Sequence, residues 1–333
     1  MTSEIPIIDV APFLTGNEEQ KNRVAEDFNS ACSNVGFVVL TGHGIDPDLP
    51  DCVFDTARDF FDLPFDEKLK VRKLDGPSGA GYHPLLTEAN DRDQGPDGPE
   101  DYRESFGLGR ADRPCGAYNR WPTQPAALQK VCTDYYSAAE NLSAQMARLC
   151  ARALRLSDDY FGDKVNLHDS MMLLHHYPEQ KTPPLPNQLR SGAHRDLTFF
   201  TLLRTERQHR PGGLQVRVRG GRWIDVPPIE NSIIFNIGDV LMRWTNDRWL
   251  STPHRVLNPP LEAGEESRRI SMPFFFAAND DALIDAIPTC VDDEHPRRYE
   301  PLIAGQYRRE RLKETYDFAK QKSALKKARE NAV

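Results

Sequence analysis

The sequence predicts a mainly β fold with flanking helices, and three observations carry that reading. From residue 169 onward short runs rich in β-formers, "SMMLLHHY", "LTFFTLLR", "GLQVRV", "RWIDV", "NSIIFNIGD", "HRVLN" and "RRISMPFFFAA", are separated by Gly, Pro and Asn, the texture of a barrel or sandwich. The clearest helical periodicity lies over 124–155, where Leu128, Val131, Tyr135, Ala138, Leu142, Met146, Leu149 and Ala153 mark one face every three or four residues. That helix suits a scaffold packed on a sheet. With 333 residues, 39% of them hydrophobic, the chain can bury a sizeable core, which excludes disorder as a global description.

The remaining elements follow in order. "IPIIDV" (5–10) reads as a short apolar strand, and Glu18 to Asn34 as a helix with Val24, Phe28 and Cys32 at four-residue spacing. "GFVVLTGHGI" (36–45) is an apolar strand stopped by Gly42-His43-Gly44. A helix is expected over 48–62; Pro64 stops it, and Asp66-Glu67 can open another turn. Residues 75–101 are dense in Gly, Pro and Asp and predict a loop rather than an element, of a length that is often functional. A charged helix over 303–329 closes the chain, its basic end a solvated face.

Charge and composition exclude several function classes. A net charge of −8 and a pI near 5.7 argue against binding to nucleic acid or anionic membrane through bulk electrostatics. "MTSEIPIIDVAPFL" lacks a basic start followed by an apolar stretch, and no long uncharged apolar run occurs, so a soluble cytoplasmic protein is expected. Six cysteines, Cys32, Cys52, Cys115, Cys132, Cys150 and Cys290, form no C-x-x-C pair and read as reduced thiols, several of them in the core.

His194-Arg195-Asp196, inside "SGAHRDLTFFTLLR", is the tripeptide that points to chemistry. His-Arg-Asp is also a protein-kinase signature, but a kinase needs Asn where Thr201 stands, a Gly-rich loop upstream and D-F-G downstream. "GLGRAD" has Asp112 in place of the third Gly, and the nearest D-F-G is Asp317-Phe318-Ala319 in the C-terminal helix. The metal reading fares better. Side chains two apart on a strand share a face, so His194 and Asp196 can converge on one ion while Arg195 points the other way. A non-haem Fe(II) site needs a second imidazole to complete a facial triad with open positions, and His254, 58 positions after Asp196 and ahead of a short β run, is the best candidate.

Among the other histidines, His175 and His176 are adjacent and face opposite ways, so at most one can reach the centre. His43 sits in a Gly-flanked turn, and His83, His168, His209 and His295 lie in polar or Pro-rich surroundings expected at the surface. Fifteen residues beyond His254, Arg269 and Ser271 again form an i, i+2 pair. A guanidinium fork beside a hydroxyl suits a carboxylate held in two contacts, as of a metal-chelating 2-oxo acid.

The chain resembles, over nearly its whole length, the iron- and 2-oxoglutarate-dependent dioxygenases of the isopenicillin N synthase-like family. The residues that carry the resemblance are "IPIIDVAPFL", "GFVVLTGHGI", "FFDLPFDEKLK", "GY" at 81–82, "RESFGLG", "RWP", "HHYP", "GAHRDLTFFTLL", "PGGLQV", "WIDVPP", "NIGDVLMRWTNDRWLSTPHRV" and "RISMPFFF". It implies His194, Asp196 and His254 as iron ligands, and Arg269 and Ser271 as holders of the far carboxylate of 2-oxoglutarate. Two positions depart from the family pattern. Arg195 stands where Thr is usual, which adds a charge at the rim of the site. His175-His176-Tyr177-Pro178 stands where plant members have Asn-Tyr-Tyr-Pro, so that one of His175, His176 and Tyr177 contacts the 2-oxo acid.

Taken together these readings predict a double-stranded β-helix (jelly-roll) over 165–280. N-terminal helices and the 124–155 helix buttress it, and residues 5–120 belong to the same single globule spanning 1–333. The resemblance implies Fe(II), 2-oxoglutarate and dioxygen as cofactor and co-substrates. It also implies hydroxylation of a small molecule in secondary metabolism, or desaturation or ring closure, with succinate and carbon dioxide released. Arg103, Arg195 and the "AGYHPLL" loop hint at a polar or carboxylate-bearing substrate. Two other classes stay open at this point: an iron oxidase that uses no 2-oxo acid, with Arg269 and Ser271 on the substrate's own carboxylate, and a jelly-roll binding protein without turnover. A monomer or weak homo-oligomer is expected, with no nucleic acid or membrane partner.

Overall fold

The computed structural model describes residues 4–74, 79–96, 98–114, 116–206 and 213–330. His209 and Cys115 therefore lie outside the described residues. The N-terminal part runs β1 (Ile7–Asp9), α1 (Ala11–Thr15), α2 (Glu18–Asn34), β2 (Phe37–Thr41), α3 (Asp48–Phe61), α4 (Phe65–Leu69), β3 (Gly81–His83) and β4 (Glu104–Gly109). The helix α5 (Leu128–Ala153) and the single turn α6 (Gly162–Val165) lead into β5 (Met171–Tyr177), β6 (Ser191–His194), β7 (Phe200–Thr205), β8 (Leu214–Arg217), β9 (Trp223–Asp225) and β10 (Ile233–Ile237). After α7 (Asp239–Trp244) come β11 (His254–Val256), β12 (Arg269–Phe276), β13 (Leu283–Ile284), β14 (Leu302–Ile303) and α8 (Ala304–Glu330).

Local chemistry explains several of these boundaries. Asn17 caps α2 by accepting from Gln20 N at 3.0 Å, while the Gln20 side chain accepts from Asn17 N at 2.9 Å, so two otherwise unsatisfied N–H groups are answered. Between α2 and β2 the chain reverses at Gly36, whose φ of 73° and close approach to the Leu250 carbonyl leave no room for a side chain. One expectation fails. Residues 75–101 are not loop throughout, because Gly81–His83 pairs antiparallel with Gly107–Ser105. Three residues flanked by Gly and Pro carry too little periodicity to read as a strand, and β4 supplies the pairing edge.

Eight strands form one sheet in the order β1-β2-β10-β7-β12-β5-β4-β3, and four form a second, β6-β11-β8-β9. Residues 5–120 thus add strands to both edges of the large sheet. Alternation along each strand splits its side chains between two cores. On the outer face Val38, Leu40, Phe106, Met172, Leu174, Phe235, Ile270, Met272 and Phe274 pack against α2, α3 and α5. On the inner face Phe37, Val39, Tyr177 and Ile234 meet Leu214, Val216 and Val256 of the small sheet. This interior, closed on two sides by sheets, is where the chemistry-bearing residues lie.

Cys32, Cys132, Cys150 and Cys290 are buried free thiols and Cys52 is exposed. His295 is exposed as expected, but His83 and His168 are buried, at 7% and 3% exposure. Half-buried carboxylates meet them there, Glu88 at His83 and, from α5, Glu140 at His168. Among the described residues no helix is long and apolar enough to cross a membrane.

Candidate metal centre

The two-sheet architecture brings three distant residues together. His194 ends β6, and its register partner on the antiparallel β11 is His254. Asp196 lies just past the end of β6 rather than on the strand, yet it still turns inward, buried, while Arg195 between them is exposed. One ligand atom from each of His194, Asp196 and His254 lies within 4.8 Å of the others. Asp196 Oδ1 stands 3.8 Å from His194 Nε2 and 3.7 Å from His254 Nε2.

Neighbouring groups decide which atoms are left free. His194 Nδ1 bonds the Gly192 carbonyl at 2.8 Å and His254 Nδ1 bonds the Thr252 carbonyl at 3.2 Å, so each ring offers a bare Nε2 inward. Asp196 Oδ2 accepts from Thr201 Oγ1 at 2.6 Å and from Asn236 Nδ2 at 2.7 Å; Oδ1 is left for the cluster. Thr201 and Asn236 are themselves register partners on β7 and β10, so the orientation of the carboxylate is built into the sheet. Burial, and then the neighbouring His254, hold the His194 imidazole well below its ordinary range, hence neutral. Burial alone would raise the Asp196 carboxyl, but His254, His194 and the two donors outweigh it and keep it below the ordinary value, hence ionised. Two imidazoles, each presenting Nε2, and one carboxylate aimed at a common point fit a divalent first-row metal with open positions.

The other predicted residues line the same interior. Arg269 and Tyr177 are register partners, as are Ser271 and His175. The Arg269 guanidinium lies 5.4 Å from the Tyr177 ring, and Arg269, Ser271 and Tyr177 are all buried. His175 and His176 diverge as parity demands. His176 faces the helices, stacked on Phe61 at 4.7 Å and bonded to Glu104 at 2.8 Å; His175 faces the interior, where Ser105 bonds its Nδ1 at 2.7 Å. Burial, followed by Arg103, keeps His175 well below its usual range.

Sequence reasoning missed Thr201, Asn236 and, around the Arg103 it had noted, the partners Glu88, Asn90 and Asp101 on the segment before β4. There Arg103 donates to Ser191 Oγ at 3.0 Å and Glu88 at 3.1 Å, Asn90 donates to Ser191 Oγ at 3.0 Å, and Asp101 accepts from Gly192 N at 2.9 Å. Nothing periodic marks such residues in a Gly- and Pro-rich stretch.

Comparison with known proteins agrees with this geometry. Residues 168–278 match the family described as the 2OG-Fe(II) oxygenase superfamily, and residues 5–124 match the region described as non-haem dioxygenase in morphine synthesis N-terminal. A 2-oxoglutarate-Fe(II) type oxidoreductase, hxnY of Emericella nidulans, is 30% identical over 98% of this chain and 95% of its own. The chain belongs to the 2-oxoglutarate- and iron(II)-dependent oxygenases. Validamycin A dioxygenase of Streptomyces hygroscopicus subsp. limoneus is 29% identical over 85% of this oxygenase and 79% of its own length. A full-length Neurospora crassa protein, solved in complex with alpha-KG and thymine, superimposes with a TM-score of 0.85 at 33% identity, covering 94% of this chain and 97% of that one. The oxygenase is thus an enzyme of the non-haem iron class with a jelly-roll core, and 2-oxoglutarate is its co-substrate.

Proposed function

We propose that His194, Asp196 and His254 hold the Fe(II), that Arg269 and Ser271 take the far carboxylate of 2-oxoglutarate, and that the enzyme hydroxylates a C–H bond of a small polar molecule. The observation that carries this reading is the shared aim of Asp196 Oδ1 and the two Nε2 atoms, every other polar atom of the three side chains being already engaged. Bound iron, with 2-oxoglutarate and dioxygen, supplies the oxidising power, the 2-oxo acid leaving as succinate and carbon dioxide.

The protein's own residues do the rest. The Arg269 guanidinium and the Ser271 hydroxyl, on one face of β12, would hold one carboxylate and so orient the co-substrate's other end toward the metal cluster. Tyr177 and the apolar wall of Val216, Leu214 and Val256 keep water from that end of the barrel. Half-buried Met171, Leu173 and Phe275 lie on the same inner faces nearer Thr201 and form the apolar side of the substrate space. A small-molecule substrate is consistent with the compounds named for similar proteins, validamycin A and thymine. The working unit is the whole globule, since residues 5–120 contribute Glu88, Asn90 and Arg103 beside His194.

Substituting His254→Ala should abolish turnover and sharply weaken Fe(II) binding with the fold retained; wild-type iron affinity in that variant would refute the ligand set. Arg269→Ala should raise the 2-oxoglutarate requirement by roughly tens-fold to thousands-fold, the equivalent of about 2–5 kcal/mol for a buried charge pair, while leaving Fe(II) binding nearly intact. Arg269→Lys should rescue only in part, because it restores the charge without the planar fork. Unchanged 2-oxoglutarate dependence in Arg269→Ala would remove Arg269 from the site.

A further inference from the structure

Two buried guanidinium groups flank one aromatic ring at the end of the barrel interior remote from Thr201. Arg269 lies 5.4 Å and Arg190 5.7 Å from the ring of Tyr177. A third, Arg103, is close by, because Tyr102 N bonds the Leu189 carbonyl at 2.9 Å and brings the two segments side by side. Arg103 is answered by Glu88 at 3.1 Å and Asp101 at 3.7 Å, and Arg269 has Glu206 in its neighbourhood. Arg190 differs. It is 0% exposed, it meets no carboxylate at ion-pair distance among the described residues, and only its Nη2 has a partner, the Pro178 carbonyl at 3.0 Å. Its Nε and Nη1 are buried without a hydrogen bond among the described residues.

A bland account would have Arg190 pack on Tyr177 and cap Pro178. A neutral side chain serves both purposes, and neither explains a full charge placed out of water with no counter-ion, which proteins strongly avoid. Burial and the neighbouring Arg269 pull the guanidinium down to about 10, so it still carries its charge at neutral pH. A buried cation beside Arg269 that meets no carboxylate among the described residues calls for an anion, and the interior of this enzyme receives one.

We propose that Arg190 is a positioning residue for 2-oxoglutarate: its charge, met by no carboxylate among the described residues, draws the far carboxylate to Arg269, and its stack fixes Tyr177 beside it. The proposal rests on the assignment of Arg269 to that carboxylate. It distinguishes Arg190 from a packing residue, because only a residue concerned with the far carboxylate will discriminate between 2-oxo acids that have that group and those that lack it.

The test is anaerobic calorimetric titration of the Fe(II)-loaded protein with 2-oxoglutarate and, separately, with 2-oxopentanoate, which keeps the chelating end and lacks the far carboxylate. Arg190→Gln should weaken 2-oxoglutarate by about tenfold or more and 2-oxopentanoate by less than about threefold, with Fe(II) affinity unchanged and Arg190→Lys between the two. Equal weakening of both acids, or no weakening of either, overturns the proposal. Should Arg190→Gln fail to fold, Arg190→Met is judged by the same selectivity. Arg269→Ala is run alongside. If it leaves 2-oxoglutarate binding intact, the assignment of Arg269 has failed; if it weakens binding while the Arg190 variants do not, Arg190 alone is excluded.

Discussion

Asp196 shows how much of this site depends on single atoms. One of its oxygens is saturated by Thr201 and Asn236, and that saturation is what presents the other to the two imidazoles. Such partners of a metal-binding carboxylate typically change metal affinity by about 10–100-fold when removed. Thr201→Val should therefore raise the Fe(II) dissociation constant by about 10–100-fold, read by competition with a chromophoric chelator, while the melting temperature changes little. Arg195→Thr in the same titration should match wild type, since that side chain is exposed between two inward neighbours. Metal loss in Arg195→Thr would place its guanidinium in the cluster after all. Neither Thr201 nor Asn236 could be singled out in sequence, because a Thr or Asn inside a strand is ordinarily just a strand residue. Their role exists only once β7 and β10 pair in register.

At the level of elements, strand parity did most of the work. Alternation separated His175 from His176 and put Arg269 with Ser271, and the structure keeps both relations. It was less secure for Asp196, which sits beyond the end of β6 and reaches the interior by the turn that follows. The outer face of the large sheet depends on aromatic packing under α3. Phe60 is wholly buried against Phe61 at 5.2 Å, Tyr82 at 5.9 Å and Phe106 at 5.0 Å. Phe60→Ala should cost about 3–5 kcal/mol, seen as a lower urea midpoint, because the lost contact leaves a cavity that rigid strands cannot close. Iron affinity of the folded fraction should stay within a few-fold of wild type, since Phe60 packs on the face opposite the metal cluster. The expectation of a loop over 75–101 rested on length and composition, and no residue in it was marked as a partner of β6. Glu88, Asn90 and Asp101 join β6 and Arg103 through contacts that no local pattern encodes.

The whole molecule should be acid-labile in its metal-free form. Burial is the first cause that holds His43, His168, His175 and His176 below the ordinary imidazole value of 6.5. The unfolded chain therefore takes up protons before the folded one. Stability is complete above about pH 6.5 and falls below it, by up to ~1.4 kcal/mol per pH unit for each imidazole kept neutral. Asp101 acts in the opposite sense, since burial pushes its carboxyl up to about 6 and the folded state then takes up a proton first, offsetting part of the loss. Glu88 and Glu104 are held low by their partners and withdraw their contribution only at more acid pH. Urea midpoints at about pH 7.5, 6.5 and 5.5 should fall steeply over the last interval, and His175→Asn should flatten the fall by one imidazole's share. An unchanged midpoint across that range would mean that these rings protonate freely in the folded protein. What the sequence determined by itself was whatever short-range periodicity and spacing encode: helices α2, α3 and α5, the succession of short strands, the His-x-Asp and Arg-x-Ser pairs, and hence the jelly-roll and its chemistry. Only the tertiary structure decided which atoms serve the site. Which imidazole nitrogen faces the partner strand, which carboxylate oxygen is free, which histidine of a pair meets Ser105 and which arginine meets no carboxylate among the described residues depend on the sheet register that sets β6 against β11, β7 against β10 and β4 against β5, and on the burial that comes with it.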